Sequence, residues 1–421
     1  MDKPLAALRI DPERFRRDFE ALAQIGGTGD GGVHRPALSR EHLQARAWFR
    51  ERILEAGLEF RTDGAGNHSA VLPCGREGGP TLLLGSHLDS VPRGGRFDGA
   101  LGVLAALEAL RVVKEAGISL PVHLEAVDFT DEEGTLVGLL GSAAVAGALE
   151  RAALQDPRGG RRFLEESLAD AGLNEEGLLS ARRPPHQLAG YLELHIEQGL
   201  RLEGEGAQIG VVTSIAGINS FRLHFEGRAD HAGTTSMEDR RDAAQGACAF
   251  ALAVREIVLT RFPGCVANVG AMTFYPGAFN IVPEEVELAL EFRSPETASF
   301  VKLEEALLDR ARRDARRLGL GLHIDWAGKC DPAPMSSVAI QAVSEASTAL
   351  GLRHLLLTSG AGHDAQSLAG VCPVGMIFVP SVDGASHSPR EYTRWEDCVN
   401  GANVLLHAAL RLSHATESAS H

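Results

Sequence analysis

The chain has 421 residues, 44% hydrophobic and 23% charged, with a formal net charge of −15. That length is too great for one small core, so two domains are expected. The acidic balance argues against nucleic acid or an anionic membrane as partner, and no apolar run approaches the roughly 20 residues that span a bilayer.

Residues 1–10 lack the apolar stretch and cleavage site of a signal peptide. Six cysteines, Cys74, Cys248, Cys265, Cys330, Cys372 and Cys398, stand far apart with no Cys-x-x-Cys pair. They read as small buried hydrophobes in a reducing cytoplasm, not as a disulfide framework or a thiolate zinc site.

Asp11-Pro12 is an N-cap and first-turn pair, and Phe15, Phe19 and Leu22 follow at helical spacing. Ser39 opens a second helix that runs to about Ala56 and is closed by Gly57. Strand-like runs cover 69–72, 81–85 and 122–129, the last two separated by a mostly apolar helix over 101–116. The polar, Arg-rich stretch 156–185 reads as surface helix and loop, and 191–196 as a further strand. Strands alternating with helices predict a largely parallel, covered sheet. Ligand-bearing residues belong at the C-terminal ends of its strands.

From about Ser214 the texture changes. Strand (221–225), helix (242–258), two strands (266–274, 286–292), a charged amphipathic helix (300–318) and a last strand predict a separate sheet with helices on one face. After about Lys329 the α/β pattern resumes, with a helix over 337–350, a buried strand over 374–379 and a last helix over 396–410. The polar tail beyond Leu412 reads as frayed. The expected organisation is an α/β domain from 1–213 and 329–421, interrupted by an α+β domain over 214–328.

The chemistry lies at the predicted strand ends. His87 and Asp89 sit in Gly-Ser-His-Leu-Asp, where a carboxylate can fix one imidazole nitrogen and leave the other for a metal. A plain strand-end histidine would read the same way. Asp98 precedes Gly99 at a helix mouth and suits either a bridge between two cations or a helix N-cap. Asp131, Glu132 and Glu133 follow a buried-looking strand, where three carboxylates repel one another unless cations are near. One glutamate then ligates while its neighbour takes a proton from water; an exposed acidic turn is the alternative. In Leu-His-Ile-Glu-Gln-Gly, alternation puts His195 and Glu197 on one face with Gln198 at the strand-to-loop transition. His387 lies in a loop beyond the strand 374–379. Together these residues form a mixed nitrogen and oxygen set for two hard divalent ions.

Those strings, with His231-Ala-Gly-Thr-Thr and Gly-Ala-Gly-His363-Asp364-Ala, closely resemble the N-carbamoyl-L-amino-acid hydrolase and allantoate amidohydrolase branch of the aminoacylase-like di-metal hydrolases, from about residue 40 to 400. The resemblance implies an aminopeptidase-like di-metal catalytic domain with an inserted sandwich domain for dimerisation and lid closure. It implies Asp98 bridging two divalent ions (Zn, Mn, Co or Ni), His87 and His195 completing one site, and Glu133 and His387 the other. Glu132 would be the general base and acid, with Asp89 the partner of His87. His231 would steady the oxyanion across a homodimer interface. Gln198, Asn280 and Arg293 would hold the substrate, with Gly360 lining its pocket, and His363 and Asp364 would support the metals indirectly. The family's usual Pro after His-Ile-Glu-Gln-Gly is Leu200 here, its Pro at 236 is Ser236, and its Asp-x-Arg is Glu291-Phe-Arg293. These departures bear on the substrate, not on the catalytic groups. The implied reaction is hydrolysis of the carbamoyl C–N bond of an N-carbamoyl-L-amino acid. The alternatives are allantoate amidohydrolysis, β-ureidopropionase activity, N-acyl amino acid hydrolysis, or a binding protein on the same scaffold.

Overall fold

A computed structural model describes residues 5–74 and 77–418. The expectation for the first residues falls partly on 1–4, outside those described. The chain divides into two compact units. Unit 1 is Met1–Thr213, Met335–Leu357 and Gly362–His421, and unit 2 is Ser214–Pro334 with Thr358–Ala361. The expected insertion 214–328 therefore stops short of Pro334. It also leaves out Thr358–Ala361, which group with unit 2.

Thirteen strands occur among the described residues: β1 (Glu59–Thr62), β2 (His68–Leu72), β3 (Thr81–His87), β4 (His123–Phe129), β5 (Leu188–Ile196), β6 (Ile209–Ile215), β7 (Gly217–Glu226), β8 (Val266–Tyr275), β9 (Glu285–Ser294), β10 (Gly321–Cys330), β11 (Ala333–Pro334), β12 (His354–Ser359) and β13 (Val374–Val379). The larger sheet runs β1-β2-β4-β3-β5-β13-β6-β11, with β12 beside β6. Its centre, β4-β3-β5-β13, is parallel; the flanking β1, β2 and β6 pair antiparallel.

Every residue of β5 and β13 is buried, as parallel strands covered on both faces require. The helix Ala100–Glu115 is buried on nearly all sides and packs on β3. The helix Pro12–Gln24 is capped by Asp11, whose carboxylate accepts from Glu13 and Arg14 N–H, and it buries Phe15, Phe19 and Leu22. The last helix runs Trp395–Ser418, so the chain past Leu412 is helical and not frayed as far as it is described. Residues 156–185 are also more than surface. Leu164, Leu168 and Leu178, from two short helices there, close a separate apolar core with Leu38, Ala65, Leu136 and Leu140.

Unit 2 is the antiparallel sheet β10-β7-β9-β8 with the helices Ala243–Arg261 and Thr297–Arg317 on one face. Phe221, Leu223 and Phe225 alternate inward on β7, and Val286, Leu288, Leu290 and Phe292 on β9. Ala243–Arg261 is long and apolar enough to cross a membrane by length and composition alone. Its inner side is buried on this sheet, while Leu252 and Leu259 on its outer side are exposed.

Gly85, two residues before His87 on the central strand, has φ 152°, and a Cβ there would stand 2.0 Å from the Val127 carbonyl oxygen. Gly85→Ala must part β3 from β4. It is expected to lose about 1–3 kcal/mol, read as a lower denaturant midpoint; an unchanged midpoint would refute the tight approach.

Candidate active site

The four central parallel strands all end at the same edge of the sheet, and each delivers acidic or imidazole side chains there. β3 ends in His87, β4 leads into Asp131-Glu132-Glu133, β5 carries His195, and the loop after β13 carries His387. Asp98 lies between β3 and the next helix. It is not the helix cap: the N-cap position is Gly99, at φ 62°, with no side-chain bond. Its carboxylate is 6% exposed with the rest of the residue and faces the histidines instead.

Two groups of ligand-type atoms result, each with its members within 4.8 Å of one another: His87, Asp98 and His195, then Asp98, Glu133 and His387. Asp98 Oδ1 is 3.0 Å from His195 Nε2 and 3.4 Å from His87 Nε2. Asp98 Oδ2 is 3.6 Å from His387 Nε2, which is 3.5 Å from Glu133 Oε2. The edge of a tetrahedron with ligands ~2.1 Å from its centre is about 3.4 Å, so the spacing fits divalent cations. His87 Nδ1 is 3.0 Å from the Asp89 carbonyl and His195 Nδ1 2.9 Å from the Ile196 carbonyl. With Nδ1–H donating to those carbonyls, each Nε2 is the nitrogen turned toward Asp98. His387 is less enclosed, with its side chain 52% exposed and φ 52°.

Electrostatics follow from crowding. Burial opposes charge on His195, yet Asp98 outweighs it and lifts the imidazole to about 9. His87 is likewise raised, against burial, by Glu132, Asp98 and Asp89. Burial raises Glu132 well above the carboxylate range, with His87 opposing and Glu133 adding. Burial, then Asp98, takes Glu133 up to about 8. A cation at either group would relieve these costs.

The acidic turn is not an exposed one. Asp131 is buried at φ 57° and accepts the N–H groups of Leu136 (3.0 Å), Val137 (2.7 Å) and Gly138 (3.0 Å). That bend leaves Glu132 and Glu133 facing the histidines, with Glu132 Oε2 3.5 Å from His87 Nε2. Asp89 differs from expectation. Its carboxylate stays 3.7 Å from His87 Nδ1 and instead faces the N–H of Glu132 (3.3 Å) and Glu133 (3.2 Å). Glu197 has left β5, and its carboxylate accepts the N–H of Arg201 and Leu202.

Gln198, at φ 58°, donates through Nε2 to Asp98 Oδ2 at 2.8 Å, and its buried Oε1 has no hydrogen-bond partner. His363 packs edge-on to His195, ring centroids 4.6 Å apart, and Asp364 is fully buried beyond it. The remaining predicted residues belong to unit 2. His231 bridges to Ile281, and Ala232 N–H donates to the Asn280 carbonyl at 3.0 Å, so the His231 loop and the Asn280 turn are joined. Arg293 binds Glu291 through Nε and Nη2 and the Gly360 carbonyl through Nη1 at 2.6 Å.

Residues 83–411 match the model of peptidase family M20/M25/M40. The chain belongs to that family. This M20 chain is 38% identical over 406 residues to an N-carbamoyl-L-amino acid amidohydrolase of Geobacillus stearothermophilus, covering 96% of it and 99% of that protein. It is 34% identical over 418 residues to an Arabidopsis thaliana protein named ureidoglycolate hydrolase, covering 97% and 88%. A solved amidase of the hydantoinase/carbamoylase family from Burkholderia multivorans aligns at TM-score 0.86 and 36% identity, over 97% of this chain and 99% of that one. The resemblance to the carbamoyl hydrolase branch thus holds over nearly the whole M20 chain.

Sequence reasoning missed the groups beneath the site. Asp128 accepts Leu88 N–H at 2.8 Å and pairs with buried Arg46 at 2.8 Å; Arg35, 1% exposed, donates to the Leu88 carbonyl at 3.1 Å. Together they clamp the turn between His87 and Asp89. Glu193 takes Ser86 Oγ and Ala365 N–H. Glu391 takes the N–H groups of Phe97 and Asp98, and burial with nearby Asp98 moves it up to about 7. Only Glu193 had a sequence signal, two residues before His195 on the same strand face.

Asp89→Asn leaves one of the Glu132 and Glu133 N–H groups facing an amide N–H. The variant is expected to fold but to lose about 10–100-fold in metal affinity, measured by competition with a chelating dye. Wild-type affinity would mean the Glu-Glu turn holds without Asp89.

Proposed function

We propose that this chain hydrolyses the carbamoyl C–N bond of N-carbamoyl-L-amino acids, giving the amino acid, carbon dioxide and ammonia. The observation that carries the reading is a carboxylate pair at one buried strand end: Glu133 belongs to a ligand group, while Glu132 belongs to neither and stands beside both. The carbamoyl hydrolase named above, similar over nearly the full length of both chains, supports the substrate class.

Two divalent cations, Zn, Mn, Co or Ni by donor type, would be held by His87, His195 and Asp98 at an inner position and by Asp98, Glu133 and His387 at an outer one. Bound there they would supply Lewis-acid polarisation of the scissile carbonyl and the attacking water. Glu132 takes the proton of that water and returns it to the leaving nitrogen. Asp89 keeps the Glu132 peptide in place while the proton moves. His231 donates to the oxygen that gains charge, and Gln198, Asn280 and Gly360 orient the ureido group. The N–H groups of Arg293 not taken by Glu291 grip the substrate carboxylate. A second reading, hydrolysis of a ureido acid with another polar arm such as allantoate, is supported by the plant relative named ureidoglycolate hydrolase.

The active assembly in this reading is a homodimer. His231 and Asn280 lie at the Glu285 end of β9, and Arg293 lies eight residues along it, about 26 Å at ~3.3 Å per residue. No small acid touches both ends, so in this reading a second copy supplies one of them. β8 supports the same reading: it is an edge strand of ten residues with no charge, its Val266, Phe274 and Tyr275 are exposed, and so are Leu252 and Leu259 of the helix Ala243–Arg261. Such an edge pairs readily with another chain. The six unpaired cysteines suit a reducing cytoplasm.

Ammonia release from metal-loaded protein should follow N-carbamoyl-L-amino acids and stop with chelator; release from allantoate alone would favour the second reading. Glu132→Gln is expected to keep fold and metal and to lose about 10²–10⁴-fold in kcat; full activity would exclude Glu132 as the base. Mixing inactive Glu132→Gln and His231→Ala proteins, with subunit exchange, should recover roughly a quarter of wild-type activity, because half the dimers then hold one complete site. No recovery after proven exchange would rule out a shared site.

A further inference from the structure

Glu391 has no part in the reaction above, yet it is 3% exposed and fully engaged. Its Oε1 accepts the N–H of Phe97 at 2.8 Å and of Asp98 at 3.0 Å, and its Oε2 lies 3.2 Å from Ser386 Oγ. Position 95 is glycine against it: a Cβ there would fall 1.9 Å from the Glu391 carboxyl carbon. Ser386, the neighbour of His387, has a second acceptor at almost the same distance, Asp98 Oδ2 at 3.1 Å. A hydroxyl has a single hydrogen, so Ser386 serves one of these two carboxylates at a time.

Asp98 Oδ2 is the atom the outer ligand group requires. Gln198 Nε2 already donates to it at 2.8 Å, and a hydrogen from Ser386 would engage its other lone pair. A cation at the outer position needs one of those lone pairs. The inner position makes no such demand, because it uses Asp98 Oδ1 and two imidazoles anchored on main-chain carbonyls.

We propose that Ser386 and Glu391 form a hydroxyl switch that sets cation affinity at the outer position: Ser386 donates to Asp98 Oδ2 before a cation arrives and turns to Glu391 Oε2 once the cation takes that lone pair. Glu391 is a positioning residue acting through Ser386. This rests on the two-cation reading of the site.

Glu391→Gln separates the switch from the scaffold. The amide oxygen still accepts from Phe97 and Asp98, while the amide N–H donates to Ser386 Oγ and confines the hydroxyl hydrogen to Asp98 Oδ2. Metal content after dialysis at pH 8 against graded chelator is the readout, with the visible spectrum of the Co(II) protein. The outer equivalent should be bound about 10-fold or more weakly, with the inner equivalent and its spectrum unchanged. Adding Ser386→Ala removes the competing hydrogen and should restore outer affinity, which a merely structural Glu391 would not allow. Ser386→Ala alone should bind the outer equivalent at least as tightly as wild type. Unaltered binding in Glu391→Gln, no recovery in the double variant, or a weakened outer equivalent in Ser386→Ala would each overturn the switch. A wild-type protein that takes up only one equivalent would instead sink the two-cation reading on which it rests.

Discussion

The end of one parallel sheet holds more carboxylates than a protein interior tolerates without compensation. Asp89, Asp98, Asp128, Asp131, Glu132, Glu133, Glu193, Asp364 and Glu391 all lie there, buried or nearly so. Much of the local architecture follows from how each is compensated. Asp131, Asp89 and Glu391 meet successive peptide N–H groups and thereby shape the loops that carry Glu132, Glu133 and Asp98. Asp128 is met by Arg46 and a peptide N–H. Asp98 and Glu133 face imidazole Nε2 atoms, those of His87, His195 and His387. Acid groups thus do two jobs here: some stand in the ligand-type groups, and others hold the backbone that presents them.

Much of this was legible in the sequence because the ligand-type residues fall just after apolar runs, and apolar runs mark strands. His87, Glu133, His195 and His387 could be placed at strand ends from period alone. Asp98 could not be told from a helix cap, since the left-handed turn at Gly99 that points its side chain inward leaves no local trace. Arg35, Arg46, Asp128 and Glu391 were illegible for a related reason. Each is one charged residue in an ordinary context, and its partner at the site lies 40 or more residues away in the chain. The stretch 156–185 was misjudged because its charges outnumber its leucines, although Leu164 and Leu168 already stand one helical turn apart.

Unit 2 shows the opposite physics. It has a dry core of alternating side chains under two helices and needs few buried charges. Its outward surface carries an uncharged edge strand and apolar side chains, Leu252 and Leu259, on the outer side of a helix.

The position of β13 has a consequence for synthesis. It lies between β5 and β6, touching both, and is encoded long after the latter, while unit 2 is almost complete by Pro334. On the ribosome the inserted unit can therefore fold first, as β5 waits with one side unpaired. His387 emerges after β13, so all of the group His87, Asp98 and His195 is synthesised before the last member of the group Asp98, Glu133 and His387 exists.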